Sequence, residues 1–377
     1  MIDAQNPFFE KYNPPHGTVP FDKIKTEHYE PAIREGIRQH IAEINAITDN
    51  PEVPTFDNTL LAYEKSGDLL NRVVTVFSNL RSAETNDDLQ ILAQKMMPLL
   101  SEHDNDISLN EKLFERIKTV YDRKEQLNLT AEQMKLLENV YDGFIRQGAN
   151  LKGEAKEEYR RLTKELSSLT LEFSENNLKE TNNYQLILTD KAQLAGLPEE
   201  AAAETAKEKG LTGWVFTLQA PSYIPFMTYA GNRDLRKELY LAYNTKCTHD
   251  NEYNNIDIVR KIANTRMSIA QLLGYDNFAQ YTLEKRMAQN SEAVYNLLNQ
   301  LLEAYTPTAQ NEYKEVQELA HREQGADFTV MPWDWSYYSN KLKDQKFNIN
   351  EEMLRPYFEL EKVKEGVFGL ATRLYGI

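Results

Sequence analysis

Apolar residues recur at helical spacing along most of the chain, and the breaks between such stretches fall at Pro, Gly and Asn. The first residues are Pro-rich: Pro7, Pro14, Pro15 and Pro20 forbid a continuous helix there. This start reads as an extended arm that packs through Phe8, Phe9, Tyr12 and Phe21. From His28 the pattern turns helical, with Ile33, Ile37, Ile41 and Ile44 on one side and Pro31 near the helix start. After the break at Asn50-Pro51 to Pro54, Thr55 and Asp57 offer caps for a helix through Leu60 and Leu69. Helical pattern continues to about Phe144, with Pro98 as a kink or boundary. Thr130-Ala-Glu-Gln133 is a capping box.

The clearest helix follows Gly153. Tyr159, Leu162, Leu166, Leu169 and Phe173 fall at spacings of 3, 4, 3 and 4, one apolar stripe on a polar helix that can pair with another. Residues 184–188 and 214–218 break the pattern: they are short and rich in aromatic and branched side chains, so they read as a two-stranded element. An Ala/Glu-rich helix over 198–209, closed by Gly210, lies between them. After Pro221 the chain is helical again. Leu235, Leu239 and Tyr243 form one face, and Ile258, Ile262, Ile269 and Leu273 another, stopped at Gly274. A third face, Val294, Leu298, Leu301 and Tyr305, is interrupted by Pro307, and a last helix covers Glu361 to Tyr375. The expected fold class is mainly α: a multi-helix, two-lobed architecture with one small β element. The expected organisation is 1–150 as arm and helical lobe, 151–220 as long helix plus β element, and 221–377 as a further helical region.

Composition narrows the function classes. With 377 residues, 41% hydrophobic and 27% charged, the chain can bury a large core without disulfide or metal staples. Its net charge of −15 repels phosphate backbones and anionic lipid, which argues against nucleic-acid and membrane partners. The single cysteine, Cys247, excludes an intrachain disulfide and suits a reducing compartment. No apolar run reaches the length of a membrane span, and the first residues do not resemble a secretory signal. A cytoplasmic location is the expectation.

Searches for self-contained chemistry come back empty. A zinc-peptidase helix needs two His four residues apart with a Glu between them, so that both rings face one ion. The six His are His16, His28, His40, His103, His249 and His321, and no two have that spacing. Glu318-x-x-His321 occurs once, whereas a di-iron bundle needs two copies and two more Glu. Gly143 to Gly148 has the glycine spacing of a phosphate loop, yet Ala149-Asn150 stand where Lys and Ser/Thr are needed. The acidic pairs Glu157-Glu158 and Glu351-Glu352 read as solvated faces. Cys247 has a His two residues away and no nucleophile signature.

Aromatics are the unusual feature, 21 Tyr among them. Two clusters stand out, Pro221-Ser-Tyr-Ile-Pro-Phe-Met-Thr-Tyr229 and Met331-Pro-Trp-Asp-Trp-Ser-Tyr-Tyr338. Rigid amphipathic rings suit grooves and interfaces as well as cores.

Those clusters carry a resemblance. Pro332-Trp-Asp-Trp-Ser-Tyr-Tyr-Ser-Asn-Lys-Leu342 and Tyr357-Phe-Glu-Leu-Glu-Lys-Val-Lys-Glu-Gly-Val-Phe368, leading to Leu374-Tyr-Gly-Ile377, resemble thimet-oligopeptidase-like zinc metallopeptidases. Ala220-Pro-Ser-Tyr-Ile-Pro-Phe-Met-Thr-Tyr-Ala-Gly-Asn-Arg233, Asn6-Pro-Phe-Phe9, Phe21-Asp-Lys-Ile-Lys-Thr-Glu-His-Tyr29 and Leu272-Leu-Gly-Tyr-Asp-Asn-Phe-Ala279 are similar to the peptidyl-dipeptidase branch. The resemblance implies an almost wholly helical peptidase of two lobes flanking a channel. It would cut short peptides, in this branch by releasing C-terminal dipeptides. The zinc of such enzymes is held by His-Glu-x-x-His and a distal Glu, which lie in the family beyond the Tyr-Gly segment. No catalytic or metal residue is therefore carried over. The chain resembles the N-terminal portion of the family, and alone it is expected to be inactive and to bind no zinc. Its implied partners are short peptides and the missing C-terminal catalytic segment, and bare apolar surface is expected to drive self-association. A non-catalytic scaffold or peptide-binding protein, or a fragment complementing a separate catalytic chain, is the alternative. Tyr223, Tyr229, Trp333, Trp335, Tyr337 and Tyr338 are the candidates for channel wall, with helix packing as the competing role. If Trp335 is buried, Trp335→Ala is expected to cost about 3–5 kcal/mol.

Overall fold

The computed structural model describes residues 6–12, 17–197, 199–348 and 354–376. Pro14, Pro15, His16, the Glu351-Glu352 pair and Ile377 lie outside the described residues. The chain begins with α1 (Thr26–Thr48), then a π-type turn (Phe56–Leu61) that leads into the short α2 (Ala62–Glu64). α3 (Asp68–Ala83), α4 (Asp87–Ser108), α5 (Glu111–Tyr121), α6 (Ala131–Arg146) and α7 (Gly153–Asn183) follow. Next come β1 (Leu186–Leu188), α8 (Glu199–Glu208), β2 (Trp214–Phe216), α9 (Ala220–Tyr229) and α10 (Arg233–Asn244). α11 (Ile256–Leu272), α12 (Phe278–Leu283), α13 (Ser291–Gln324), α14 (Trp335–Phe347) and α15 (Leu360–Tyr375) complete the described chain. The architecture is mainly α with one small sheet, as the periodicity predicts. Two compact units are present. One holds residues up to Asn176 together with Asn254–Ser291, and the other holds Asn177–Tyr253 with the residues from Glu292 onward.

In the first unit, α1, α3 and α4 enclose one core. Ile33, Val73, Phe77, Ala93 and Met96 are shielded from solvent there. The arm joins it: Asn6 caps its own turn by accepting from Phe8 N–H at 3.1 Å, and its side-chain amide donates to the carbonyl of His28 at 2.8 Å. Phe8 is thereby buried against Tyr29. A second core forms under α5 and α6, with Leu113, Ile117 and Leu137 at its centre. Thr130 and Gln133 make the reciprocal cap read from the sequence, at 3.2 and 3.0 Å. The stripe of α7 buries Tyr159, Leu162 and Leu169 against Leu109, Ile269, Ile258 and Ile262, so its partner is α11. Phe173, the last member of that stripe, remains 38% exposed.

The expected interruption at Pro307 needs correction, and of the two roles open to Pro98 the boundary is excluded. α4 runs through Pro98 and α13 runs through Pro307. A proline removes one N–H and crowds the turn before it, but the hydrogen bonds of flanking turns can carry a helix across, bent at that point. The chain breaks instead at Asn86 and Asn110, whose side chains accept from the N–H groups of Leu89 and Leu113 and cap new helices.

α1 and α3 approach closely at Gly36. A Cβ there would stand 2.8 Å from Cα of Leu70, a backbone atom that cannot swing aside. Alanine favours a helix over glycine by about 1 kcal/mol, while forced overpacking costs about 1–3 kcal/mol. Gly36→Ala is therefore expected to lower stability in a urea melt; a rise in the midpoint would mean that the two helices can separate at no cost.

In the second unit, β1 and β2 pair antiparallel, with Leu186 opposite Phe216 and Leu188 opposite Trp214. Leu186, Leu188 and Phe216 join Phe226, Met227 and Leu239 in one core, so the two-stranded sheet lies on α9 and α10. The loop before α8 is held close to the end of α9. Gly231 N–H donates to the carbonyl of Ala195 at 2.9 Å. Gly196 has a φ of +87°, and a Cβ on it would drive into the carbonyl oxygen of Tyr229.

Candidate functional site

The two aromatic clusters meet inside the second unit, around a buried charge. Pro332–Asp334 forms a single 3-10 turn that leads directly into α14. Pro332 suits the first position of such a turn because its fixed φ is already helical. Asp334 folds back to accept from Met331 N–H at 3.0 Å, and its side chain is fully buried. Two arginines of α10, three residues apart and so on one helix face, converge on it. Arg233 makes a forked contact through Nε at 3.1 Å to both oxygens and through Nη2 at 2.7 Å. Arg236 donates to the other side at 2.8 Å.

Arg236 is 1% exposed, and three more of its donors are used on carbonyls: Ala230 at 2.7 Å, Gly231 at 3.3 Å and Trp333 at 3.2 Å. Tyr337 covers its guanidinium at 4.2 Å and Phe328 covers that of Arg233 at the same distance. Burial pushes the Asp334 carboxyl up, but the bonds from Arg233, Arg236 and Met331 N–H outweigh it and leave the group below the ordinary carboxylate value. The cluster thus stays charged and ties α10 to α14.

The six aromatic candidates separate by environment. Tyr338 is 2% exposed and packs edge-on against Phe328 in a small core with Val316, Leu319 and Val330. Tyr337 and Trp333 are half-buried. The first lies over Arg236, and the second sits edge-on to Tyr240 with Lys237 above its ring at 5.2 Å. Tyr223 stacks on Tyr243 at 4.2 Å, and burial pushes its hydroxyl up to about 12. Tyr229 is half-buried at the end of α9. Trp335 is 39% exposed and lies parallel to Tyr313 at 6.4 Å. Its burial condition is not met, so Trp335→Ala is expected to shift stability by no more than about 1 kcal/mol in a thermal melt.

Arg233, Arg236 and Asp334 were not among the sequence candidates. One signal was available: a lone acid in the run Met-Pro-Trp-Asp-Trp must be paired if that run is buried. The cluster has neither a nucleophile with an adjacent base nor an open ligand position, so its own chemistry is to fix geometry. Among the described residues, no three His, Cys, Asp or Glu side chains come close enough to hold a metal ion. These residues do not fit a zinc. No described helix is long and apolar enough to cross a membrane.

Cys247 lies in the same unit. It is 5% exposed in a left-handed conformation, and its N–H donates to the carboxylate of Glu180. Burial and that carboxylate push the thiol up to about 11. A thiol reagent at neutral pH is expected to label Cys247 only after unfolding; rapid labelling of the native protein would contradict its placement.

Comparison with known proteins follows this geometry closely. The sequence profile of peptidase family M3 matches residues 226–377, a stretch that includes the whole Arg233–Arg236–Asp334 cluster. The chain is 37% identical over 381 aligned positions to dipeptidyl carboxypeptidase of Escherichia coli K12, covering 100% of this chain and 56% of that protein. It is 33% identical to oligopeptidase A of Haemophilus influenzae, covering 96% of this chain and 54% of the relative. Saccharolysin of Saccharomyces cerevisiae is 26% identical over 87% of this chain and 46% of its own length. The chain thus spans about half the length of the curated relatives it matches. Together with the aromatic and charged motifs that the fold assembles, these matches make the chain similar to peptidase family M3 over residues 226–377 and to the named peptidases along its length.

Proposed function

We propose that this chain is the front portion of a zinc-dependent peptidase that hydrolyses short peptides and releases dipeptides from their free C-termini. One observation carries the reading: similarity to dipeptidyl carboxypeptidase runs along the entire chain while spanning 56% of that protein. The role of this portion is to supply helical wall and a rigid mount. Asp334 and its two arginines fix α10 against α14, and the aromatic faces beside them present amphipathic surface to a peptide. Trp335 is the channel-wall candidate with ring surface left open, whereas Tyr338 serves packing. Zinc and the residues that bind it belong to the proposed remainder of the protein, and its location is the cytoplasm.

Exposed apolar side chains on α13 (Tyr295, Leu298, Leu302) and on α15 (Val367, Phe368, Leu374) favour a covering partner. The occupant we assign is the segment corresponding to the rest of the relatives' length. The second reading is a non-catalytic scaffold or half of a two-chain peptidase, for which a match to the front portion of the relatives is equally expected.

The test compares the product of the gene's full reading frame with the 377-residue chain, on a short peptide with a free C-terminus. The long product is expected to release dipeptides in a chelator-sensitive manner, and the chain alone is expected to release none and to associate at high concentration. A reading frame that stops at Ile377, or a long product without chelator-sensitive hydrolysis, would discard the peptidase reading in favour of the scaffold.

A further inference from the structure

A second polar cluster lies in the first unit, where α1, α4 and the turn before α3 meet. Nδ1 of His40 is 2.9 Å from Nε2 of His103, with ring centroids 4.9 Å apart and planes at 63°. Nε2 of His40 is 3.2 Å from Oγ of Ser66, and that hydroxyl donates to the carbonyl of Tyr63 at 2.7 Å. His103 is 3% exposed, and its Nδ1 is buried with no hydrogen-bond partner.

These contacts fix where the protons sit. Ser66 gives its only hydrogen to Tyr63, so its oxygen accepts from Nε2–H of His40. A neutral His40 protonated on Nε2 has a bare Nδ1, which accepts from Nε2–H of His103. A neutral His103 is then left with a bare lone pair on Nδ1. The opposite polarity would strand a buried N–H at that atom, and orphaned buried N–H groups are the rarer and costlier kind. The chain of donors therefore runs one way, from His103 through His40 to Ser66.

We infer that His40 and His103 form an acid-sensitive clasp: while both are neutral, this one-way chain links the Ser66–Gly67 turn and α1 to α4, and a proton taken up by His40 breaks the link to α4. Carboxylates face the pair from two helices. Glu43 of α1 faces His40 and accepts from Gly67 N–H at 2.7 Å, so it holds the same turn. Asp106 of α4 faces His103 and is itself paired with Arg160 of α7 at 2.6 Å. Asp104, on the same helix, faces Tyr63. These acids favour protonated imidazole. Burial opposes it more strongly, and for His103 the neighbouring His40 adds to that, so both rings lie below the ordinary histidine value.

The geometry explains the resistance. The one open lone pair, on His103 Nδ1, offers an incoming proton no acceptor, and protonating His40 requires the hydrogen bond from His103 to break. The sign follows from linkage. The unfolded chain binds these protons more readily, so the stabilisation is present above the ordinary histidine value and is lost as the pH falls through the lower folded values.

The test is an imidazole 15N NMR titration of the intact chain from about pH 8 to about pH 5, with exchange followed in parallel at the amides of Gly67 and Asn71, which donate to Glu43 and to the carbonyl of Gly67. Both rings are expected to be protonated on Nε2 at the alkaline end and to titrate below the ordinary value. Protection of those amides, corrected for intrinsic exchange, should fall by about tenfold in the same step. In the double variant His40→Gln, His103→Gln, which cannot take up a proton, this acid-linked loss should vanish. Independent titration of the rings at the ordinary value, or the same loss of protection in the double variant, overturns the inference. Should the double variant fail to fold, the ring titration of the unaltered protein decides alone.

Discussion

Asp334→Ala is expected to lower the stability of the second unit by about 3–5 kcal/mol. The carboxylate is fully buried and bonded to two guanidinium groups, one of them 1% exposed. Removing it leaves the charge of Arg236 in the interior with carbonyl partners only, and an unpaired buried ion costs far more than the net worth of the pair. Asp334→Asn keeps the shape and some acceptors but not the charge, so it should lie between alanine and the parent. Arg233→Ala should cost roughly 1 kcal/mol, because the Arg233 side chain is 39% exposed and water replaces its role. Hydrogen exchange resolved to the amides of α10 and α14 measures all three. Equal effects of Asp334→Ala and Arg233→Ala would mean that Arg236 is not the buried charge in need of a partner. Since the folded carboxyl lies below its ordinary value, this contribution is present above that value and is lost as the pH falls through the folded one.

Phe77→Ala is expected to cost the first unit a similar amount, about 3–5 kcal/mol, through the cavity it opens. Phe77 is fully buried, and its ring meets that of Tyr29 at 5.3 Å and 53°, while Tyr29 meets Phe8 at 5.2 Å and 51°. The three rings link the arm to α1 and α3. Loss of Phe77 therefore removes packing beneath Tyr29 and loosens the seat of Phe8. Phe77→Leu retains most of the volume and should cost less than about 1.5 kcal/mol. Combining Phe77→Ala with Phe8→Ala should destabilise by less than the sum of the single effects if the rings act as one stack. Strict additivity in urea melts of the double-mutant cycle would count against that coupling.

Local features were legible in the sequence because their cause is local. The 3, 4, 3, 4 spacing of α7, the reciprocal cap at Thr130 and the short branched runs at β1 and β2 each depend on residues within one or two turns. The resemblance to the peptidase family was legible for the same reason, in contiguous motifs. Pro307 misled because an intrinsic preference of one residue yields to the hydrogen bonds of its neighbours. The charged cluster was out of reach: Asp334 is 101 and 98 positions away from Arg233 and Arg236, and periodicity carries no information over that distance. His40 and His103, 63 positions apart, are a second case. The six candidate aromatics could be named but not sorted, because which face of a ring is covered depends on partners such as Arg236 and Tyr313 from elsewhere in the chain.

The loop at Gly196 has a consequence for inheritance. Its hydrogen atoms lie against the carbonyl oxygen of Tyr229, so the position excludes every side chain. All amino-acid changes reachable from a glycine codon by one base introduce a Cβ. Each would part the loop from the end of α9, beside the aromatic motif that marks the family. The codon for Gly196 should therefore show silent changes at its third base and almost no missense changes among functional copies of this gene, while surface codons such as that of Glu204 drift freely.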